Sequence, residues 1–232
     1  MRQKKQGNRV GVIIAAAGAS KRMGTSASKV LLPLAGKPVL AHSLETFSSI
    51  EEITSIIVAA PKRFLGQFRA ISRDFPHVKV TAGGATRIES VSKAASLLPD
   101  NIAFIAVHDG ARPFFTPALF RRVLRKAAKT GAAAPGIAPS DTVKQIDETG
   151  DVLATLKREN VALVQTPQIF RAELFNEALT EAFKSGGVYT DDLAMIEAVG
   201  GIPLIVPGDR RNIKITFPED ISIAELIIGG TK

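Results

Sequence analysis

Charged residues follow apolar runs at three places in this sequence, a juxtaposition that chemistry can use. "IIAAAGASKRMG", residues 13–24, passes from an apolar run into a small-residue loop carrying Lys21 and Arg22, and Lys29 follows shortly after. "VKVTAGGATRIES" puts Arg87 beyond a second run, and "IAFIAVHDGARP" puts Asp109 and Arg112 beyond a third. Backbone N–H groups left uncovered by alanine and glycine, with cations beside them, suit a phosphate. The familiar phosphate loops are absent. Five residues separate Gly18 from Gly24, Thr25 stands where a P-loop needs lysine, and Ser20 stands where the dinucleotide fingerprint needs glycine. A helix cap or a surface ion pair explains any one of these polar groups, but their convergence at run ends favours a nucleotide site.

Such groups need elements that end side by side. Apolar runs at residues 10–17, 53–60, 78–84, 102–109 and 132–139 read as buried strands, and residues 39–47, 64–75, 87–98 and 117–131 between them carry apolar positions at helical spacing. This alternation predicts an α/β fold: a single Rossmann-like domain over residues 10–232, with a mainly parallel twisted sheet flanked by helices. Ligands of such sheets bind at the carboxyl ends of the strands. After residue 139 the pattern changes to two short alternating segments around "DETGD", which predicts a protruding β-hairpin arm at about 139–160 with no obvious apolar face. "VALVQTPQIF", helices at 171–186 and 191–200, strands "IPLIVPG" and "NIKIT", and a helix at 219–228 complete the chain.

Composition narrows the function. With 232 residues, 45% hydrophobic and 22% charged, the chain is an ordinary globular one. It has no apolar run of membrane-spanning length and no convincing signal peptide, which places it in the cytoplasm without a membrane partner. There is no cysteine, and His42, His77 and His108 lie too far apart for a local metal motif. The net charge of +8 is shared between residues 1–9, which read as a disordered basic tail, and the stretch 21–37. With one tyrosine and no tryptophan for base stacking, small anionic ligands explain that charge better than nucleic acid does.

Taken in order, "AAAGASKRMG" with Lys29, "LPLAGKPVL", "GGATRIESV", "VHDGARP", "SDTVK", "QTPQIF", "YTDD" and "NIKITFPED" resemble the 2-C-methyl-D-erythritol 4-phosphate cytidylyltransferase family over about residues 10–228. The resemblance implies transfer of CMP from CTP to a polyol phosphate with Mg²⁺, in the non-mevalonate isoprenoid pathway, by a homodimer joined through the β-arm. It assigns Arg22 and Lys29 to the transition state, and Asp109 to the ribose and metal–triphosphate region, with Mg²⁺ held mainly by the CTP phosphates. Arg158, reaching in from the other subunit, and Lys214 would grip the acceptor phosphate. Arg112, Thr142, Thr166 and Thr190 would complete the acceptor pocket, and Asp191 would orient its hydroxyls. Cytosine would lie against the backbone of Ala16, Ala17 and Gly84 and the hydroxyl of Ser90, and Gly18 would also bind CTP. Ala85, Val30 and Gly110 depart from the family pattern at nucleotide contacts. A ribitol 5-phosphate cytidylyltransferase and a catalytically silent nucleotide-binding protein are the alternative readings.

Overall fold

In the computed structural model, which describes residues 9–18, 23 and 28–230, each uninterrupted apolar run becomes a strand and each amphipathic run a helix. β1 (Val10–Ala15) leads to a two-stranded hairpin of β2 (Pro33–Leu34) and β3 (Lys37–Pro38), then α1 (Val39–Ser48). The hairpin turns on Ala35 and Gly36, both at positive φ (48° and 83°), as a two-residue type I′ connection requires. β4 (Ile53–Ala60), α2 (Leu65–Ser72), β5 (Val78–Ala82), α3 (Arg87–Ala95), β6 (Phe104–Asp109), α4 (Pro117–Thr130) and β7 (Ala132–Ile137) follow in alternation. Beyond them come β8 (Val143–Ile146), β9 (Val152–Leu156), β10 (Leu163–Val164), β11 (Gln168–Arg171), α5 (Ala172–Ser185), α6 (Asp192–Ala198), β12 (Leu204–Pro207) and α7 (Glu219–Gly229). Of the predicted basic tail at residues 1–9, residues 1–8 lie outside the described residues.

The main sheet runs β10-β7-β11-β6-β1-β4-β5, with β12 paired to β7. Pairs β1/β4, β1/β6, β4/β5 and β7/β12 are parallel, whereas β10 and β11 run antiparallel to their neighbours, so the expected mainly parallel sheet is what forms. Its strands are buried on both faces because helices cover each side. Val12, Ile14 and Val58 pack with Leu44, Phe47, Phe68 and Phe120 of α1, α2 and α4 on one side, and Ile13, Ile57 and Val107 pack with Val91, Phe175 and Ile196 of α3, α5 and α6 on the other. No helix among the described residues is long and apolar enough to cross a membrane.

One expectation is corrected. Residues 212–216, "NIKIT", form no strand. Their backbone is drawn off any ladder, since Ile215 N–H donates to the Ala111 carbonyl (2.8 Å) and Arg112 Nη1 donates to the Asn212 carbonyl (2.8 Å). The segment therefore crosses the end of β6 rather than extending the sheet. The β8/β9 hairpin forms as expected. A register shift between Gln145 and Ile146 pairs Ile146 with Val152 and leaves Leu153 as the extra residue of β9, so Ile146 keeps its alternation along β8, on the face opposite Val143. Ile146 and Val152 are more than half exposed.

Candidate active site

Four parallel strands finish in register and present the site. Ala82 of β5 pairs with Ala60, Ala59 of β4 pairs with Ala15, and Ala15 of β1 pairs with Asp109, the last residue of β6. β1 connects onward to β4 on one side and has β6 on its other, so the chain reverses its strand order at the place where open α/β sheets bind ligands. A cleft of about 500 Å³ opens there.

Small residues form one wall. Ala16, Ala17 and Gly18 follow β1, and Gly83 and Gly84 follow β5. The loops approach so closely that a Cβ on Gly83 would lie 2.3 Å from that of Ala17, and one on Gly84 would lie 2.2 Å from that of Glu89. The start of α3 locks this wall in place. Thr86 Oγ1 accepts from Glu89 N–H (3.1 Å), and Glu89 Oε2 accepts from Ala85 N–H (2.9 Å), a close variant of the capping box. Ser90 Oγ accepts from Gly84 N–H (3.0 Å) and donates to the Thr86 carbonyl (2.9 Å), so its hydroxyl holds the loop that it lines. Gly110 and Val30 meet beside this wall. A Cβ at Gly110 would lie 3.2 Å from Ala16 Cβ and 3.5 Å from Val30 Cγ1, and Val30 is buried.

Charge fills the opposite side. Asp109 is buried, and three cations face its carboxylate: Arg87 Nη1 on Oδ1 at 2.9 Å, Lys214 Nζ on Oδ2 at 2.8 Å, and Arg112 Nε at 3.6 Å from Oδ2. Burial pushes the Asp109 carboxyl up, but Arg87, Lys214 and Arg112 override it and hold the group well below the usual carboxylate range. Lys214 arrives on the irregular segment that crosses β6, and Lys29 lines the cleft from the short turn Lys29–Leu31.

Behind Asp109 lies a network with no exposed member. His108 is wholly buried, with its ring packed against Phe47 and Phe115. Its Nε2 lies 2.9 Å from the Arg112 carbonyl, which only accepts, so Nε2 carries the proton. Nδ1 then accepts from Thr166 Oγ1 (3.0 Å), which in turn accepts from Asp109 N–H (3.0 Å). Burial pushes His108 down to about 4, and the imidazole is neutral at physiological pH.

The structure brings Ala16, Ala17, Gly18, Lys29, Gly84, Ser90, Asp109 and Lys214 to one cleft. Other expected residues are engaged elsewhere. Thr166 and Arg112 are tied into the surroundings of Asp109. Asp191 uses Oδ1 to cap α6 at Ala194 N–H (3.0 Å) and Oδ2 to accept from Gln168 Nε2 (2.9 Å). Thr142 and Thr190 are exposed, and Arg158 Nη1 donates to the Ser140 carbonyl (2.7 Å) at the base of the arm. Arg22 lies outside the described residues. Sequence reasoning singled out Arg87 as a charge at a run end without giving it a task. Its contact with Asp192 (2.6 Å) spans positions too far apart for any local pattern to reveal.

Comparison with known proteins agrees with this geometry. The family model for 2-C-methyl-D-erythritol 4-phosphate cytidylyltransferase matches residues 10–230. A protein of that name from Solibacter usitatus is 38% identical over 233 residues, covering 95% of this chain and 96% of its own. One from Caldanaerobacter subterraneus is 38% identical over 223 residues, covering 94% of this chain and 98% of its own. The crystal structure of 4-diphosphocytidyl-2C-methyl-D-erythritol synthase from Anaerococcus prevotii superposes with a TM-score of 0.87 at 28% identity, covering 96% of each chain.

Proposed function

The chain belongs to the 2-C-methyl-D-erythritol 4-phosphate cytidylyltransferase family, and from that premise we propose how its residues divide the work of moving CMP from CTP to the phosphate of 2-C-methyl-D-erythritol 4-phosphate. The observation that carries the reading is the cleft at the ends of β1, β5 and β6, with a small-residue wall on one side and Lys29, Lys214 and the ion-paired Asp109 on the other. The acceptor's phosphate monoester, with a second pKa of about 6, is largely ionised at neutral pH. One of its oxygens attacks the α-phosphorus of CTP, a new P–O bond forms, the bond from the α-phosphorus to the bridging oxygen breaks, and pyrophosphate leaves with that electron pair. No general base is needed, so the protein's contribution is alignment and charge neutralisation. His108, neutral and sealed among phenylalanines, supports the wall and takes no proton from substrate.

Lys29 and Arg22 stabilise the charge that develops at the α-phosphorus. Lys214 receives the acceptor phosphate. The backbone of Ala16, Ala17, Gly18 and Gly84 lies against the cytosine, and Ser90 keeps Gly84 in place. Among the described residues no three His, Asp or Glu side chains gather as a metal site. Asp109 is the one carboxylate among those lining the cleft, and its oxygens already face cations. That donor set fits Mg²⁺ bound chiefly through triphosphate oxygens with Asp109 as a single protein carboxylate, since Mg²⁺ commonly takes one or two carboxylates and keeps phosphate and water oxygens. When bound, it supplies neutralisation of the triphosphate. The exposed apolar side chains of the β8/β9 arm, Ile146, Val152, Leu153 and Leu156, support a C2 homodimer in which each arm carries Arg158 and Thr142 to the partner's acceptor site, since an isolated hairpin needs a surface to pack on.

The testing experiment offers the purified chain CTP or UTP with Mg²⁺ and either 2-C-methyl-D-erythritol 4-phosphate or ribitol 5-phosphate, following pyrophosphate. We expect the highest kcat/KM with CTP and the methylerythritol phosphate. A preference for ribitol 5-phosphate overturns the acceptor, and equal use of UTP overturns the reading of the small-residue wall, because cytosine and uracil exchange donor and acceptor roles.

A further inference from the structure

Arg87 is the first residue of α3 and lines the cleft, yet none of the roles above falls to it. Its guanidinium forks between two carboxylates on different elements, Asp109 Oδ1 at the end of β6 (2.9 Å) and Asp192 Oδ2 at the start of α6 (2.6 Å). Asp192 is itself fixed: it is 2% exposed, and its N–H donates to Gln168 Oε1 (3.1 Å), while Gln168 Nε2 donates to Asp191. Arg87 is therefore anchored at one end on a buried, hydrogen-bonded helix start, and holds Asp109 with the other.

The opposite oxygen of Asp109 has two suitors. Lys214 Nζ takes it at 2.8 Å, while Arg112 Nε, buried and without a hydrogen-bond partner among the described residues, waits 3.6 Å away. A buried guanidinium N–H without an acceptor is costly, so an unrestrained carboxylate would turn toward Arg112 and give up Lys214. Arg87 prevents this turn by holding Oδ1.

We infer that Arg87 is a positioning residue for the acceptor: acting from its anchor at Asp192, it aims Asp109 at Lys214 and so places the ammonium that receives the acceptor phosphate. The inference rests on the reading of Lys214 given above. It differs from a structural role in which Arg87 merely compensates the buried Asp192 carboxylate, and the two are separable. Arg87→Met strands that carboxylate, whereas Arg87→Met combined with Asp192→Asn removes the charge that needed compensation.

The test measures urea unfolding, and KM for CTP and for the acceptor, in Arg87→Met, Arg87→Lys, Arg87→Met/Asp192→Asn and Lys214→Gln. The double variant should recover the stability lost in Arg87→Met and still show an acceptor KM raised on the order of tenfold or more, as expected when a binding group is misplaced, with KM for CTP within about twofold of wild type. Arg87→Lys, which keeps the charge but not the fork, should fall between the two. Wild-type acceptor KM in the double variant, or equal rises in both KM values, overturns the inference. Lys214→Gln separates the failures. If it raises acceptor KM and the Arg87 variants do not, the positioning role alone falls; if it leaves acceptor KM unchanged, the assignment of Lys214 falls and takes the inference with it.

Discussion

The ammonium of Lys214 lies 2.8 Å from Oδ2 of Asp109, joining an irregular segment near the end of the chain to the last residue of a central strand. A lysine that donates to a buried aspartate in the free protein is held at the cleft before substrate arrives, and preorganised charge of this kind is what a transfer without general-base chemistry depends on. Lys214 and Lys29 both line the cleft, and because the proposed mechanism gives them different phosphates, their variants should behave differently.

Lys29→Ala and Arg22→Ala should lower kcat on the order of a hundredfold, with a smaller change in KM for CTP, because charge that develops only during transfer is stabilised only then. Single-substrate titrations at saturating acceptor check this. A kcat within about twofold of wild type contradicts the assignment.

His108 makes stability depend on pH in an identifiable window. Burial lowers its folded pKa to about 4 from the usual 6.5, so the contribution is fully present above about 6.5 and is lost as pH falls toward and below 4. The expected loss is roughly 3 kcal/mol over that interval. Carboxylates with lowered values, Glu52 and Asp109 among them, release their share only below about 4.5. Urea midpoints at stepped pH should therefore decline from about pH 6.5 to 4.5, and a His108→Asn variant should make that stretch clearly shallower, leaving the part contributed by His42, whose imidazole burial also pushes down. An unchanged slope in the variant contradicts the account of the buried imidazole.

The turn of the β2/β3 hairpin makes a prediction of opposite sign. Ala35 sits at φ 48°, a region that costs an alanine about 1–2 kcal/mol and that asparagine enters more readily. Because residue 35 is exposed, Ala35→Asn should raise stability by roughly 0.5 kcal/mol or more without touching activity. A lowered unfolding midpoint would count against the turn as described.

The arm is tested by mixing. Arg22→Ala and Arg158→Ala variants should each be nearly inactive, and mixtures whose subunits exchange should regain part of the activity, since one site of each heterodimer then carries neither change. Exchange is followed separately with differently tagged chains. Exchange without recovery rejects the reach of Arg158 into a partner.

What the sequence discloses and what it hides have physical causes. β4 spans Ile53–Ala60, the run read from alternation, because a strand buried on both faces is apolar throughout and its ends are abrupt. The cleft follows from the same logic, since parallel strands that start together must also finish together. The pairing of Ile146 with Val152 stayed hidden because it depends on a one-residue bulge in β9, which the order of side chains does not announce. "NIKIT" alternates like a strand but lies where the Ala111 carbonyl and Arg112 take its polar groups instead. The tie between Arg87 and Asp192 depends on two elements meeting in space, and nothing near either residue in the chain announces it.

The central claim is that CMP moves intact from CTP to the acceptor's phosphate. It is tested most directly by incubating the chain with CTP labelled at the α-phosphorus, Mg²⁺ and 2-C-methyl-D-erythritol 4-phosphate, then following the label. The account predicts label in a cytidine diphosphate ester that forms only when the acceptor is present, with one pyrophosphate released for each ester. Label recovered as free CMP, or CTP left unchanged beside the acceptor, would contradict it.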